Sequence, residues 1–101
     1  MEALMVSKKG YWMVMLTVTD AEGYQRYREA IGDAISHFGG RYLVRGGEVT
    51  NPEGSDFGRH VVVEFDSYET ALSCYRSQGY QTALQHRVAA STGHFAIVEG
   101  A

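Results

Sequence analysis

The stretch Gly39-Gly40-Arg41-Tyr42-Leu43-Val44-Arg45-Gly46-Gly47 constrains the fold of this chain more than any other. Two glycine pairs bracket a short segment of strand character with an arginine at each end. Glycine takes left-handed backbone angles at little steric cost, so the first pair can stop a helix and the second can turn a strand into a loop. Side chains alternate along a strand with period two, so Arg41 and Arg45 are expected on one face. The block therefore marks two element boundaries and concentrates cationic chemistry between them.

The flanking segments read outward from that anchor. Tyr11 to Thr19 is rich in β-branched and aromatic residues and predicts a strand, with Trp12, Val14, Leu16 and Val18 on one face and Tyr11, Met13, Met15 and Thr17 on the other. Both faces are largely apolar, which predicts a central strand covered on both sides. Thr19 with Glu22 matches a capping box, and the helix it opens carries Tyr24, Tyr27, Ile31, Ala34, Ile35 and Phe38 at helical spacing up to Gly39. Arg41 to Arg45 is the second strand. Glu48 to Gly58, with the chain's single proline, reads as a hairpin loop, and Arg59 to Asp66 as the third strand. Ser67 and Ser77 are N-cap candidates for two further helical segments, and Gly93 reads as a break before a last strand, His94 to Glu99.

The expected order is β-α-β-β-α-β with the second helix interrupted: a ferredoxin-like α+β fold, a four-stranded antiparallel sheet with helices on one face. The other face keeps Tyr11, Met13, Met15, Leu43, Val62 and Val98, an apolar patch that a monomer would leave in water. A twofold homodimer pressing two sheets face to face is the economical solution.

With 101 residues the chain fits one domain, here 10–101, behind a flexible tail at 1–9 whose apolar run is too short for a signal peptide. A net charge of −3 supplies no basic field for nucleic acid, and no apolar run approaches the ~20 residues of a membrane span. One cysteine, Cys74, rules out an internal disulfide framework and suits a reducing, cytoplasmic setting.

Several pieces together resemble family 1330 of the domains of unknown function, in the dimeric α+β barrel superfamily. They are Gly10-Tyr11-Trp12, Tyr24 and Tyr27, Gly39 to Gly47, Val61-Val62-Val63-Glu64-Phe65, Ser67-Tyr68-Glu69, Tyr75, Tyr80 and Val98-Glu99-Gly100. The chain departs from the family at Ser55 to Gly58, where a tryptophan and a proline are usual, and at Ser77-Gln78-Gly79-Tyr80, where Ser-Pro-Glu-Tyr is usual. The resemblance implies a barrel-forming dimer. Related barrel families include cofactor-free monooxygenases, small isomerases and stress-linked binding proteins, so fold alone does not select an activity.

The polar residues carry two readings. A regular hairpin pairs Arg41 with Glu64, Leu43 with Val62 and Arg45 with His60, on the side away from the helices. Arg41 and Glu64 then form a structural cross-strand pair. Arg45, beside His60, becomes the better anchor for an anionic ligand, with Arg41 as neighbour and Tyr11, Met13 and Met15 as walls. His60 and Glu64 are weak candidates for acid–base work. His37 suits the carboxyl end of a helix as a cation, His86 and Arg87 point in different directions, and Cys74 reads as a small core residue. The four histidines show no ligand spacing, so no metal and no cofactor are expected. The first expectation is a homodimer binding a small, anionic or partly apolar metabolite beside the sheet. The alternatives are a non-catalytic stress-response or structural module and a cofactor-free monooxygenase or isomerase.

Overall fold

The structure, a computed structural model, describes residues 8–101. The tail expected at 1–9 falls largely outside them. Lys9 is held: its carbonyl accepts from Gly100 N at 2.7 Å, and its ammonium lies 3.4 Å from Asp66.

Seven elements follow in the order β1 (Gly10–Val18), α1 (Ala21–His37), β2 (Arg41–Arg45), β3 (Arg59–Phe65), α2 (Tyr68–Arg76), α3 (Gln78–Ala90) and β4 (Ser91–Glu99). The strands form one antiparallel sheet of order β2-β3-β1-β4, so β1 is central as its two apolar faces require. Trp12, Val14 and Leu16 face the helices and are buried with Val61, Val63 and Phe65 of β3. Tyr24, Tyr27, Ile31 and Ile35 of α1 close over them, with Ala71, Cys74, Tyr80 and Ala83 from α2 and α3. Trp12 is the hub. Its ring meets Phe65, Tyr80 and Phe95 at centroid separations of 5.1, 4.9 and 5.1 Å, and its indole N–H donates to Ala71 O at 3.0 Å. A buried indole thus satisfies its one donor while its rings pack at edge and tilted angles that suit aromatic quadrupoles.

Element ends depart from expectation in three places. The N-cap of α1 is Asp20, whose carboxylate accepts from Gly23 N at 3.2 Å, and not Thr19. Thr19 N donates to Ala90 O at the end of α3 at 2.8 Å, and Asp20 N donates to the same oxygen at 3.1 Å. Gly93 does not precede β4 but lies within it, opposite Leu16, at φ 149°. A Cβ there would overlap Met15 O, so glycine is what lets β4 approach β1 at that point. The third departure is in β2. Tyr42 pairs with Val63, but Val44 pairs with Val62 and Arg45 with Val61. Leu43 is the extra residue of a β-bulge, which turns every later side chain to the opposite face.

Ser67 and Ser77 cap α2 and α3 as their sequence positions predict, accepting from Thr70 N at 3.0 Å and Tyr80 N at 3.2 Å. Ser77 also donates to Cys74 O at 2.7 Å, joining the end of one helix to the start of the next.

Candidate functional site

The bulge at Leu43 divides the two arginines that the sequence places together. Arg41 stays on the outer face of the sheet, opposite Glu64 as expected. Arg45 does not sit opposite His60, nor Leu43 opposite Val62 in a regular ladder. Arg45 turns to the helix side, where its guanidinium stacks 4.1 Å over the ring of Tyr42.

On that side α1 and the sheet enclose a cavity of about 20 Å³. That is room for about one water-sized group. Its walls are chiefly aromatic and aliphatic, among them Trp12, Val14, Tyr27 and Phe95. Three arginines, Arg28 from α1, Arg45 from β2 and Arg59 from β3, line it. Among the described residues no carboxylate lies within ion-pair distance of any of them; the recorded pairs involve Lys9 and Arg41 with Asp66, and Arg41 with Glu64. Arg28 donates to the neutral Gln25 side chain at 3.2 Å. Arg59 donates from Nε to the Tyr24 hydroxyl at 2.9 Å and lies 5.1 Å from the centre of its ring. Gly46, at φ 70°, gives the Arg59 guanidinium its place, because a Cβ at that position would overlap Nη1. The glycine that ends β2 therefore also seats an arginine. Arg28 and Arg45 are exposed and Arg59 is half-buried, so the guanidiniums stand at the solvent side of the cavity, where they can meet an anion.

The outer face is organised differently. Arg41 Nη2 lies 2.7 Å from Glu64 Oε1, and Tyr11 donates to Glu64 Oε2 at 3.0 Å. Hydrogen bonds from Arg41 and Tyr11 hold the Glu64 carboxyl below its ordinary range, and the same carboxylate raises the Tyr11 phenol. Both carboxylate oxygens are engaged, which suits a structural pair. Met13 and Met15 lie between β3 and β4 on this face, Met15 directly between His60 and His94. The side-chain Nε2 of His60 is buried without a hydrogen-bond partner among the described residues. Tyr11, Met13, Met15, Arg41, His60 and Glu64 thus share the outer face, while Arg45 is on the other side of the sheet from all of them.

Within the helix layer, Tyr27 and Tyr80 share a hydrogen bond at 2.8 Å, and burial pushes both phenols up. The Arg87 guanidinium lies 5.1 Å from the Phe95 ring centre and 5.7 Å from that of Tyr27. Cys74 is buried, and desolvation pushes its thiol up to about 12, the opposite of nucleophile activation. No cluster of three or more His, Cys, Asp and Glu converges on a common point among the described residues. Sequence reasoning missed Arg28 and Arg59 as partners of Arg45. Arg28 falls one residue after the apolar-stripe member Tyr27, and Arg59 is the first residue of β3, so neither stands out until the bulge turns Arg45 toward them.

The family model for the domain of unknown function DUF1330 matches residues 9–101. The chain belongs to this family. Three solved structures place this DUF1330 protein among known folds. A protein of unknown function from Rhodopseudomonas palustris, RPA0582, superposes with a TM-score of 0.79 at 17% identity, covering 98% of this chain and 87% of that one. A dimeric protein of unknown function and ferredoxin-like fold from Bacteroides fragilis gives 0.62 at 13% identity, covering 94% and 99%. SnoaB, a cofactor-independent oxygenase from Streptomyces nogalater, gives 0.61 at 11% identity, covering 91% and 92%. At these identities the likeness shows the ferredoxin-like fold of the DUF1330 chain and nothing of its chemistry. No curated protein matches it. No helix among the described residues is long and apolar enough to cross a membrane.

Proposed function

We propose that this DUF1330 protein is a homodimer that binds a small anionic, partly apolar metabolite in the cleft between α1 and the sheet, with Arg45 as the anion anchor and Arg28 and Arg59 beside it. The observation that carries the binding reading is the set of three arginines without carboxylate partners among the described residues, on the wall of a mostly apolar cavity. In a chain of net charge −3, such a cluster is a local exception to the overall field. Arg41, Tyr11, Met13 and Met15 serve the other face, where the Arg41–Glu64 pair and the apolar side chains meet a second copy.

The dimer reading is supported by Met13, Leu43 and Val98, which are 42%, 54% and 45% exposed on that face, and by the dimeric Bacteroides protein of the same fold. Cytoplasmic residence fits a chain whose one cysteine is a buried free thiol. Activity as a cofactor-free oxygenase on phenols is a second reading, favoured by the aromatic cavity walls and the fold shared with SnoaB. Oxygen uptake with a phenol panel tests it, and no uptake removes it.

A thermal-shift screen against small carboxylates tests the main reading. At a hundredfold excess over Kd a ligand adds roughly 2.7 kcal/mol, or about 10–20 °C for a domain of this size. Arg45→Ala is expected to abolish the shift and leave the unliganded Tm within a few degrees. Shifts of equal size in the variant would remove Arg45 as the anchor.

A further inference from the structure

The outer face of the sheet carries a row of side chains that is independent of the arginines on the other side. Met15 on β1 lies directly opposite His60 on β3 and directly opposite His94 on β4. Residues paired across antiparallel strands point to the same face, with Cα atoms about 4.5–5.5 Å apart. One thioether therefore stands between two imidazoles, each a single strand away. Spacing along the chain does not reveal this group, because its three members come from three strands.

The surroundings of the row favour one kind of guest. His60 and Met15 are half-buried, and the Nε2 of His60 meets neither water nor a hydrogen-bond partner among the described residues. A buried imidazole nitrogen without a partner is an unmet polar group. Phe57, from the loop before β3, reaches the ring of His94 at 5.4 Å, edge to face. Since β1 lies between β3 and β4, that reach carries the loop across the end of the row and shelters it. Met13, the next residue of β1 on this face, adds a second thioether about 7 Å along the strand. The carboxylate of Glu64, farther along β3, is already held by Arg41 and Tyr11. The donors left are thioether and imidazole, all neutral when they ligate. Such a set suits a soft cation of low charge, whereas Zn(II), Mg(II) and Ca(II) prefer thiolate, carboxylate or oxygen partners.

We propose that Met15, His60 and His94 form a binding site for Cu(I). The thioether of Met15 is the central ligand, His60 binds through Nε2 from one side and His94 through a ring nitrogen from the other. Met15 is the residue that selects the metal, because a thioether favours Cu(I) over Zn(II).

Competition between the full chain and the chromophoric chelator bicinchoninate for Cu(I), without oxygen, tests this. The wild-type protein is expected to withdraw one Cu(I) per chain, and an equal concentration of Zn(II) is expected not to displace it. Met15→Leu keeps the volume and apolar character of the site, and both it and His94→Ala are expected to weaken binding by about tenfold or more. Cys74→Ala is expected to leave the affinity unchanged, since that thiol is buried in the core on the helix side. Titration with Ag(I), followed by the methyl resonances of the methionines, is expected to shift Met15 first. Failure of the wild type to take Cu(I) from the chelator would overturn the site. Unchanged affinity in Met15→Leu, loss of binding in Cys74→Ala, displacement by Zn(II) or a first shift at another methionine would overturn it as well. The wild-type stoichiometry and the methyl shift require no variant, so the test holds even if a substitution impairs folding. None of these outcomes bears on the anion site, which lies on the opposite side of the sheet.

Discussion

Gly93 is the residue at which the sheet is least forgiving. Its φ of 149° and the overlap that a Cβ would make with Met15 O are independent obstacles to any other side chain. Gly93→Ala is expected to destabilise the fold by about 3 kcal/mol or more, read as a lower urea midpoint at unchanged slope. Tyr27 and Tyr80 present the opposite case, two polar groups that satisfy each other. Either single change to Phe removes that bond, leaves the remaining hydroxyl only the nearby Arg87 guanidinium, and is expected to cost about 1–3 kcal/mol. The double change is expected to cost less than the sum of the singles, a coupling that a double-mutant cycle in urea measures. Glu64 supplies a pH dependence. Its carboxyl titrates lower in the folded protein than in the unfolded chain, so its contribution is fully present above the unfolded carboxylate range, near 4.3, and is lost as pH falls through the folded value. The stability gap between wild type and Glu64→Gln should therefore be constant from pH 5 to 8 and close below pH 4. The Arg41–Glu64 pairing was legible because opposite charges at matching hairpin positions attract. Arg59 on Tyr24 was not, because it joins β3 to α1 across 35 residues and no local rule connects them.

At the scale of elements, periodicity carried most of the fold. The stripes on β1 and α1, the two serine caps and the extent of β2 follow from alternation, helical spacing and cap chemistry, and they stand as read. Two adjacent residues, Thr19 and Asp20, both have N-cap chemistry and both donate their N–H to Ala90 O, and what separates them is that Asp20 takes Gly23 N on its carboxylate and Tyr24 N on its carbonyl. In sequence Gly93 reads as a break because glycine weakens strands in general; in the sheet, close approach of neighbouring backbone makes it a requirement. The bulge at Leu43 was invisible for a different reason. A bulge adds a residue without any distinctive composition, and a register counted from the hairpin loop passes straight through it. Ser77 is the element junction most open to test. Because its hydroxyl both accepts from Tyr80 N and donates to Cys74 O, Ser77→Ala is expected to cost about 1–2 kcal/mol, more than Ser67→Ala, by thermal or urea unfolding.

For the whole molecule, the expectation that bears most weight is association. One sheet face is closed by three helices, and the other carries Met13, Leu43 and Val98 beside a fully engaged Arg41–Glu64–Tyr11 group. The protein is expected to elute as a dimer at micromolar concentration, and Met13→Lys to elute as a monomer with a lower Tm. Elution of the wild type as a monomer across that range would remove the dimer. The bulge has a consequence for how such a protein can change over time. By turning the strand over at Leu43 it assigns Arg41 to one compartment and Arg45 to another, within a single five-residue element. Substitutions on the outer face and on the cavity side are thereby insulated from each other, separated by the thickness of the sheet. Deleting Leu43 would undo that insulation in one step, returning Arg45 to the outer face and away from the cavity.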